Sequence, residues 1–281
     1  MTSPRMAALE AELCAIGRSY DGKWTCAVTD LAADEHIGIG EDDVMPTASL
    51  AKVPVLAALY KAVAEGRFGL DDRVRYGPQH RCLGSGVLSM MAPGVEMSVR
   101  DAATLMITIS DNSATNICVD LVGLDRINGF MRSLDMPRTE LFQRWGERTA
   151  GPPNARRMWV STAAETARLF ALIGRHELVS ADASEDMLRI LRRCQSRVEL
   201  SGRMPWNEMN MLDDPRENWV AEKGGAWIGV RCGGAVFHSP RGEFAMAAFT
   251  ESSFSAMAGR DAEGNQILGR LGKAAFDALA G

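Results

Sequence analysis

A chain of 281 residues with 46% hydrophobic and 24% charged side chains has an ordinary globular composition and length enough for a large core. Its net charge of −5, without any basic run or basic helix face, argues against nucleic acid or anionic membrane surfaces as partners and favours a small-molecule substrate. No apolar run approaches a membrane span, and Arg5, Glu10 and Glu12 interrupt the N-terminal stretch where an export signal would be apolar, so a cytoplasmic protein is expected. The six cysteines (Cys14, Cys26, Cys82, Cys118, Cys194, Cys232) form no C-x-x-C pair, which suits reduced thiols better than disulfides or zinc. His36, His80, His176 and His238 share no metal-ligand spacing. Neither a metal nor a cofactor is expected, and the oligomeric state is left open.

In chain order, residues 4–17 read as an amphipathic helix with Met6, Leu9, Leu13 and Ile16 on one side. Two β-rich runs, 23–31 and 35–39, flank the turn Ala32-Ala33-Asp34 and predict a hairpin. A helix follows from Ser49, with one buried face marked by Val53, Leu56, Ala57, Tyr60, Val63 and Ala64, and stops at Gly66 and Gly69. A loop rich in Gly, Asp and Pro spans 71–93. Ser98 is an N-cap signal for a helix over 99–109, and 114–122 is helical again. The segment 136–160, with Pro137, Gly146, Gly151, Pro152 and Pro153, reads as a long irregular loop of functional character. Helical patterns resume at 162–174 and 184–194, then come β-like runs at 219–225, 230–238 and 243–250, and a helix over 256–279. This order predicts an α/β (α+β) fold. Its antiparallel sheet is built from both chain ends (about 1–46 and 195–281), a mainly helical lobe (about 47–194) is inserted, and a cleft lies where the lobes meet.

The chemistry centres on Thr47-Ala48-Ser49-Leu50-Ala51-Lys52-Val53-Pro54. Helical spacing puts Ser49 and Lys52 on one face, and an amine held against a core helix loses solvation, which lowers its pKa until it can take the serine proton. A lone S-x-x-K arises by chance in many chains. Here Ser110-Asp111-Asn112 and Lys223-Gly224-Gly225 follow in order, approximating the S-x-x-K, S-D-N and K-T-G set of penicillin-recognising enzymes.

With Gly84-Ser85-Gly86-Val87-Leu88 and the run from Leu105-Met106-Ile107 into Asn112-Ser113-Ala114-Thr115-Asn116, the sequence resembles the class A β-lactamase family over about residues 20–281. The resemblance implies a β-lactamase/transpeptidase-like fold and gives each motif residue a role. Ser49 would be the acylated nucleophile, Lys52 its base, and Ser110 the group passing a proton to the leaving group. Asn112 would hold a substrate amide, and Lys223 would orient Ser110 and attract an anionic group. Gly225 and Ala226 would continue the substrate-binding strand, with the N–H groups of Ser49 and Ala226 as the oxyanion hole. Arg231 resembles the family's carboxylate-binding arginine. Two departures stand out. Gly224 replaces a Thr or Ser whose hydroxyl meets the substrate carboxylate, and the deacylating E-x-x-L-N motif is missing. Glu147, in Arg144-Trp145-Gly146-Glu147, is a candidate catalytic base one residue late, with Glu140 as the weaker competitor.

The implied activity is a serine hydrolase forming a covalent acyl-enzyme on an amide, lactam or ester. A cytosolic transacylase or esterase of a biosynthetic pathway is the alternative, and a non-catalytic ligand-binding relic of the fold is a third reading.

Overall fold

The computed structural model describes residues 3–147, 158–206, 209, 217–251, 259 and 261–281. Helix α1 (Pro4–Gly17) begins at Ser3, whose hydroxyl accepts the Met6 N–H, and it buries the four apolar residues foreseen from its periodicity. Strands β1 (Lys23–Asp30) and β2 (Glu35–Ile39) form the predicted hairpin, with Asp30 opposite Glu35. After β3 (Met45–Pro46) a 3-10 turn covers Ala48–Ala51, and helix α2 (Lys52–Ala64) follows. The helix therefore starts at Lys52, with Ser49 in the turn before it. It is also buried nearly all round, from Lys52 to Tyr60, where periodicity had suggested a single apolar face. It is the central rod of a helical layer.

That layer continues through the short pair β4 (Arg73–Arg75) and β5 (Glu96–Ser98) into α3 (Val99–Thr108), whose Ser98 and Asp101 form a reciprocal capping box. Helices α4 (Asn112–Val122) and α5 (Leu124–Ser133) follow. Helix α5 was not anticipated, because only Ile127, Asn128 and Met131 are buried on an otherwise polar segment. Strands β6 (Glu140–Leu141) and β7 (Trp159–Ser161) join β3 in a small sheet inside the segment read as irregular. The remainder of that loop, 148–157, lies outside the described residues.

Helices α6 (Ala163–Gly174) and α7 (Ala181–Arg192) lead to strands β8 (Trp219–Trp227), β9 (Val230–Ser239) and β10 (Gly242–Glu251), and α8 (Glu263–Leu279) ends the chain. Residues 256–258 and 260 of the predicted last helix lie outside the described residues, and the helix begins at Glu263. The main sheet runs β2-β1-β10-β9-β8, every neighbour antiparallel, so strands from both chain ends do share one sheet. Helices α1 and α8 cover one face, packing Leu9, Leu13, Leu268 and Leu271 with Val28 and Phe237. Side chains of the other face, among them Ala27, Val236 and Ala247, join the helical core with Phe170 of α6. Gly234 is needed there, since a Cβ at that position would lie 2.2 Å from the Phe170 ring. Strand β8 is the outer edge of the sheet and is covered by the Ser49 turn and α7, leaving alternate backbone N–H groups turned away from β9. No helix among the described residues is long and apolar enough to cross a membrane.

Candidate active site

Ser49 is half-buried in its 3-10 turn, and Ala48 before it holds the left-handed φ of 42°. One turn on, Lys52 is fully buried. Its Nζ donates to Ser110 O at 2.6 Å, Ser110 Oγ at 2.9 Å and Asn112 Oδ1 at 2.8 Å, so all three protons of an ammonium are used. Burial pushes the Lys52 ammonium well below its usual range, the charge of Lys223 lowers it further, and Asp111 and Cys82 act in the opposite direction. Loss of one proton leaves two donors and a lone pair. The lone pair can then accept from a hydroxyl, and Ser110 Oγ is the neighbour able to turn donor.

Asp111 holds this arrangement in place. Fully buried, it caps α4 by accepting from Ser113 N and Ala114 N, and its second oxygen accepts from Val87 N at 2.6 Å and Leu88 N at 2.9 Å. Loop 84–88 is thereby tied to the tripeptide, and Asn112 N donates to Ser85 O. Gly86, at φ 103°, cannot be replaced, because a Cβ would stand 2.4 Å from the Asp111 Cα. Ser110 itself takes φ 57°, an unusual conformation for a serine, sustained by these flanking bonds. Asn112 Nδ2 donates to Leu83 O and Oδ1 accepts from Lys52, so its amide is oriented from both ends.

The opposite wall is β8. Lys223 is buried, donates to Gly224 O at 2.7 Å and borders a cavity of about 350 Å³ together with Ser49, Ser85, Ser110, Gly224 and Ala226. Gly225 lets the strand close on the Ser49 turn. A Cβ there would meet Thr47 O at 2.4 Å and Leu50 N at 2.9 Å. Beneath this contact, the buried Cys232 thiol donates to Thr47 O at 3.0 Å. Its neighbour Arg231, alternating to the other face, packs against Gly264 of α8 and donates to Trp227 O and Val230 O. Arg231 borders neither cavity beside Ser49, contrary to the carboxylate-binding place that the resemblance suggests.

A second cavity of about 560 Å³ opens on the other side of Ser49 and Ala226, walled by Leu83, Trp145, Met158, Trp159, Trp227 and Val230. Trp145 and Trp159 stack at 4.1 Å, and Lys52 Nζ lies 5.5 Å from the Trp145 ring. Asn116 fixes Trp145 through both its backbone groups. Glu147 is at the rim of this cavity, exposed, with its carboxylate against Arg144 N at 3.3 Å and the Arg144 guanidinium at 3.4 Å. The ring facing Lys52 belongs to Trp145, two residues earlier. Glu140 is in β6, within the small sheet and outside both cavity linings. Among the described residues, no group of His, Cys, Asp and Glu could hold a metal ion.

Sequence reasoning missed Trp145 and Glu199. The indole is marked only by its place in the loop. Glu199 lies in a segment without periodicity, yet its buried carboxyl group borders the same cavity as Ser49 and Lys223.

Comparison with known proteins bears on the fold and the family. The beta-lactamase from Sphaerobacter thermophilus superposes with a TM-score of 0.84 at 26% identity, covering 97% of each chain. PBP-A gives 0.82 at 22% identity over 97% of this chain and 96% of that one, and an ancestral class A beta-lactamase 0.80 at 21% over 96% and 100%; these two speak to fold alone. In sequence, 136 residues are 29% identical to Beta-lactamase L2 of Stenotrophomonas maltophilia, covering 47% of this chain and 45% of that protein, so the match spans under half of the relative. The model of the beta-lactamase enzyme family matches residues 8–279, and the chain therefore belongs to that family.

Proposed function

We propose that the protein is a serine acyl-transfer hydrolase acting on a small amide, lactam or ester through an acyl-enzyme at Ser49. The observation that carries the proposal is Lys52, a buried amine with a lowered pKa, one turn from Ser49 and bonded to Ser110 and Asn112. Ser49 Oγ attacks the carbonyl carbon as Lys52 takes its proton. The negative oxygen is met by the backbone N–H groups of Ser49 and Ala226, each such donor contributing about 3 kcal/mol in the transition state. The bond to the leaving group breaks, and its nitrogen or oxygen receives the proton through Ser110 while the acyl group stays on Ser49. Asn112 orients the substrate amide, and Gly225 keeps the strand within reach.

A second reading concerns the acceptor. Glu147 is bound to Arg144 at the rim, away from Lys52, which supports transfer of the acyl group to an amine or alcohol over transfer to water. Intact-protein mass spectrometry after incubation with benzylpenicillin and with activated esters tests the first reading. An acyl adduct on the wild type and none on Ser49→Ala supports it, whereas no adduct with any donor returns the fold to a binding role. Adding a small amine during turnover and measuring the amide to acid ratio separates transferase from hydrolase.

A further inference from the structure

Gly224 does more than omit a hydroxyl. A Cβ at Gly224 would lie 2.3 Å from Cδ of Glu199 and 2.5 and 2.6 Å from its oxygens, closer than any real contact. The room for a side chain at position 224 is taken by the Glu199 carboxyl group, delivered from the segment between α7 and β8. Glu199 is only 4% exposed, and its oxygens accept from Ser196 Oγ at 3.1 and 3.4 Å. It borders the 350 Å³ cavity with Ser49, Ser110 and Lys223. A substrate acylating Ser49 and extending along β8 past Ala226 toward Gly224 must meet this group.

A carboxylate on the substrate is the group that an ionised Glu199 disfavours most. Beside an ionised Glu199 it is repelled at close range, and it has no proton to offer. It could enter only after Glu199 had taken up a proton. Burial and the nearby Glu222 push that carboxyl group up, toward the form that would admit a carboxylate, and the charge of Lys223 and the Ser196 hydroxyl oppose them, so the refusal holds at pH above the raised pKa. Lys223 shares the cavity with Glu199 and acts on it through its charge, while its ammonium donates to Gly224 O. A neutral donor, such as a carboxamide or hydroxyl, meets an acceptor with free lone pairs.

We infer that Glu199 is a specificity-determining residue: it makes the subsite facing Gly224 accept a neutral hydrogen-bond donor on the leaving-group side of the substrate and refuse a carboxylate. The inference rests on acyl transfer at Ser49. It identifies the substrate class as acyl donors whose leaving group ends in an N–H or O–H.

Two phenylacetate esters of near-identical shape test it, one of 3-hydroxybenzamide and one of 3-hydroxybenzoate, each rate divided by that ester's rate with hydroxide. The wild type should favour the benzamide ester in kcat/KM by about tenfold or more, the usual weight of a hydrogen bond involving a charged group. Glu199→Gln presents a donor of the same shape, so it should move the ratio about tenfold to a hundredfold toward the benzoate. A wild-type preference for the benzoate overturns the inference without any variant. An unchanged ratio in a folded Glu199→Gln protein, with Ser49 acylated, overturns the Glu199 assignment alone. Absence of a Ser49 adduct from both esters overturns the acyl-transfer reading and the inference with it.

Discussion

The amine of Lys52 and the hydroxyl of Ser110 are 2.9 Å apart, one from the first residue of α2 and the other from a left-handed residue just before α4. Their contact is the proton path of the proposed reaction. It is also where protonation must show. At low pH Lys52 is an ammonium with every proton engaged, and acylation is blocked. As pH rises through the lowered pKa the free amine forms, so the acylation rate should climb and level off well below 10.5, the ordinary lysine value. Stopped-flow acylation against pH measures this directly. Lys52→Ala should lower the rate by a factor of about 100 or more and abolish that limb of the profile.

Ser49→Ala removes a hydroxyl from a half-buried turn whose packing depends on Leu50 and Ala51. The variant should melt within a few degrees of the wild type and take no label from an active-site-directed fluorophosphonate. A label on another serine in the variant would move the nucleophile elsewhere.

Asp111 should prove to be the structural member of its tripeptide. Asp111→Ala strips an acceptor from four backbone N–H groups, two at the start of α4 and two in loop 84–88. A lost helix cap costs about 1 kcal/mol and each buried donor left unmet about 1–3 kcal/mol, so denaturant melts should show a loss of at least about 3 kcal/mol.

Position 224 and position 199 should be coupled. Gly224→Thr alone forces the Glu199 carboxyl group aside and should cost stability, against the simpler expectation that a restored hydroxyl helps. Glu199→Ala in the same chain vacates that space. The double variant should be more stable than the sum of the single changes predicts, and thermal melts of all four proteins give the coupling.

Turnover of nitrocefin or benzylpenicillin should be slow, far under the roughly 10 per second of an ordinary enzyme. Two features point the same way: Glu199 beside Gly224, and Glu147 bound to Arg144. Steady-state assays at saturating substrate check it, and turnover at ordinary rates would mean that Glu147 reaches the acyl-enzyme.

Local rules made much of the fold legible. The α1 periodicity, the β1–β2 hairpin and the Ser98 cap are short-range signals, and each element formed where its residues indicated. Helix α5 escaped because its buried side chains are too few to make a pattern. In the site, Ser49, Lys52, Ser110 and Asn112 announced themselves through fixed spacing. Glu199 could not, because what singles it out is the empty Cβ position of Gly224 on β8. From the chain alone Arg231 reads as a carboxylate-binding residue, whereas strand alternation turns it toward α8.

The thiol of Cys232 lies beneath the seam where β8 meets the Ser49 turn, and burial raises its pKa far above the usual thiol range. In the closed protein it is neither ionised nor reachable by an alkylating reagent. Any modification therefore times an opening of that seam. This wall of the cavity carries its own reporter, and the rate at which Cys232 reacts with iodoacetamide, with and without an acyl group on Ser49, counts how often the wall parts.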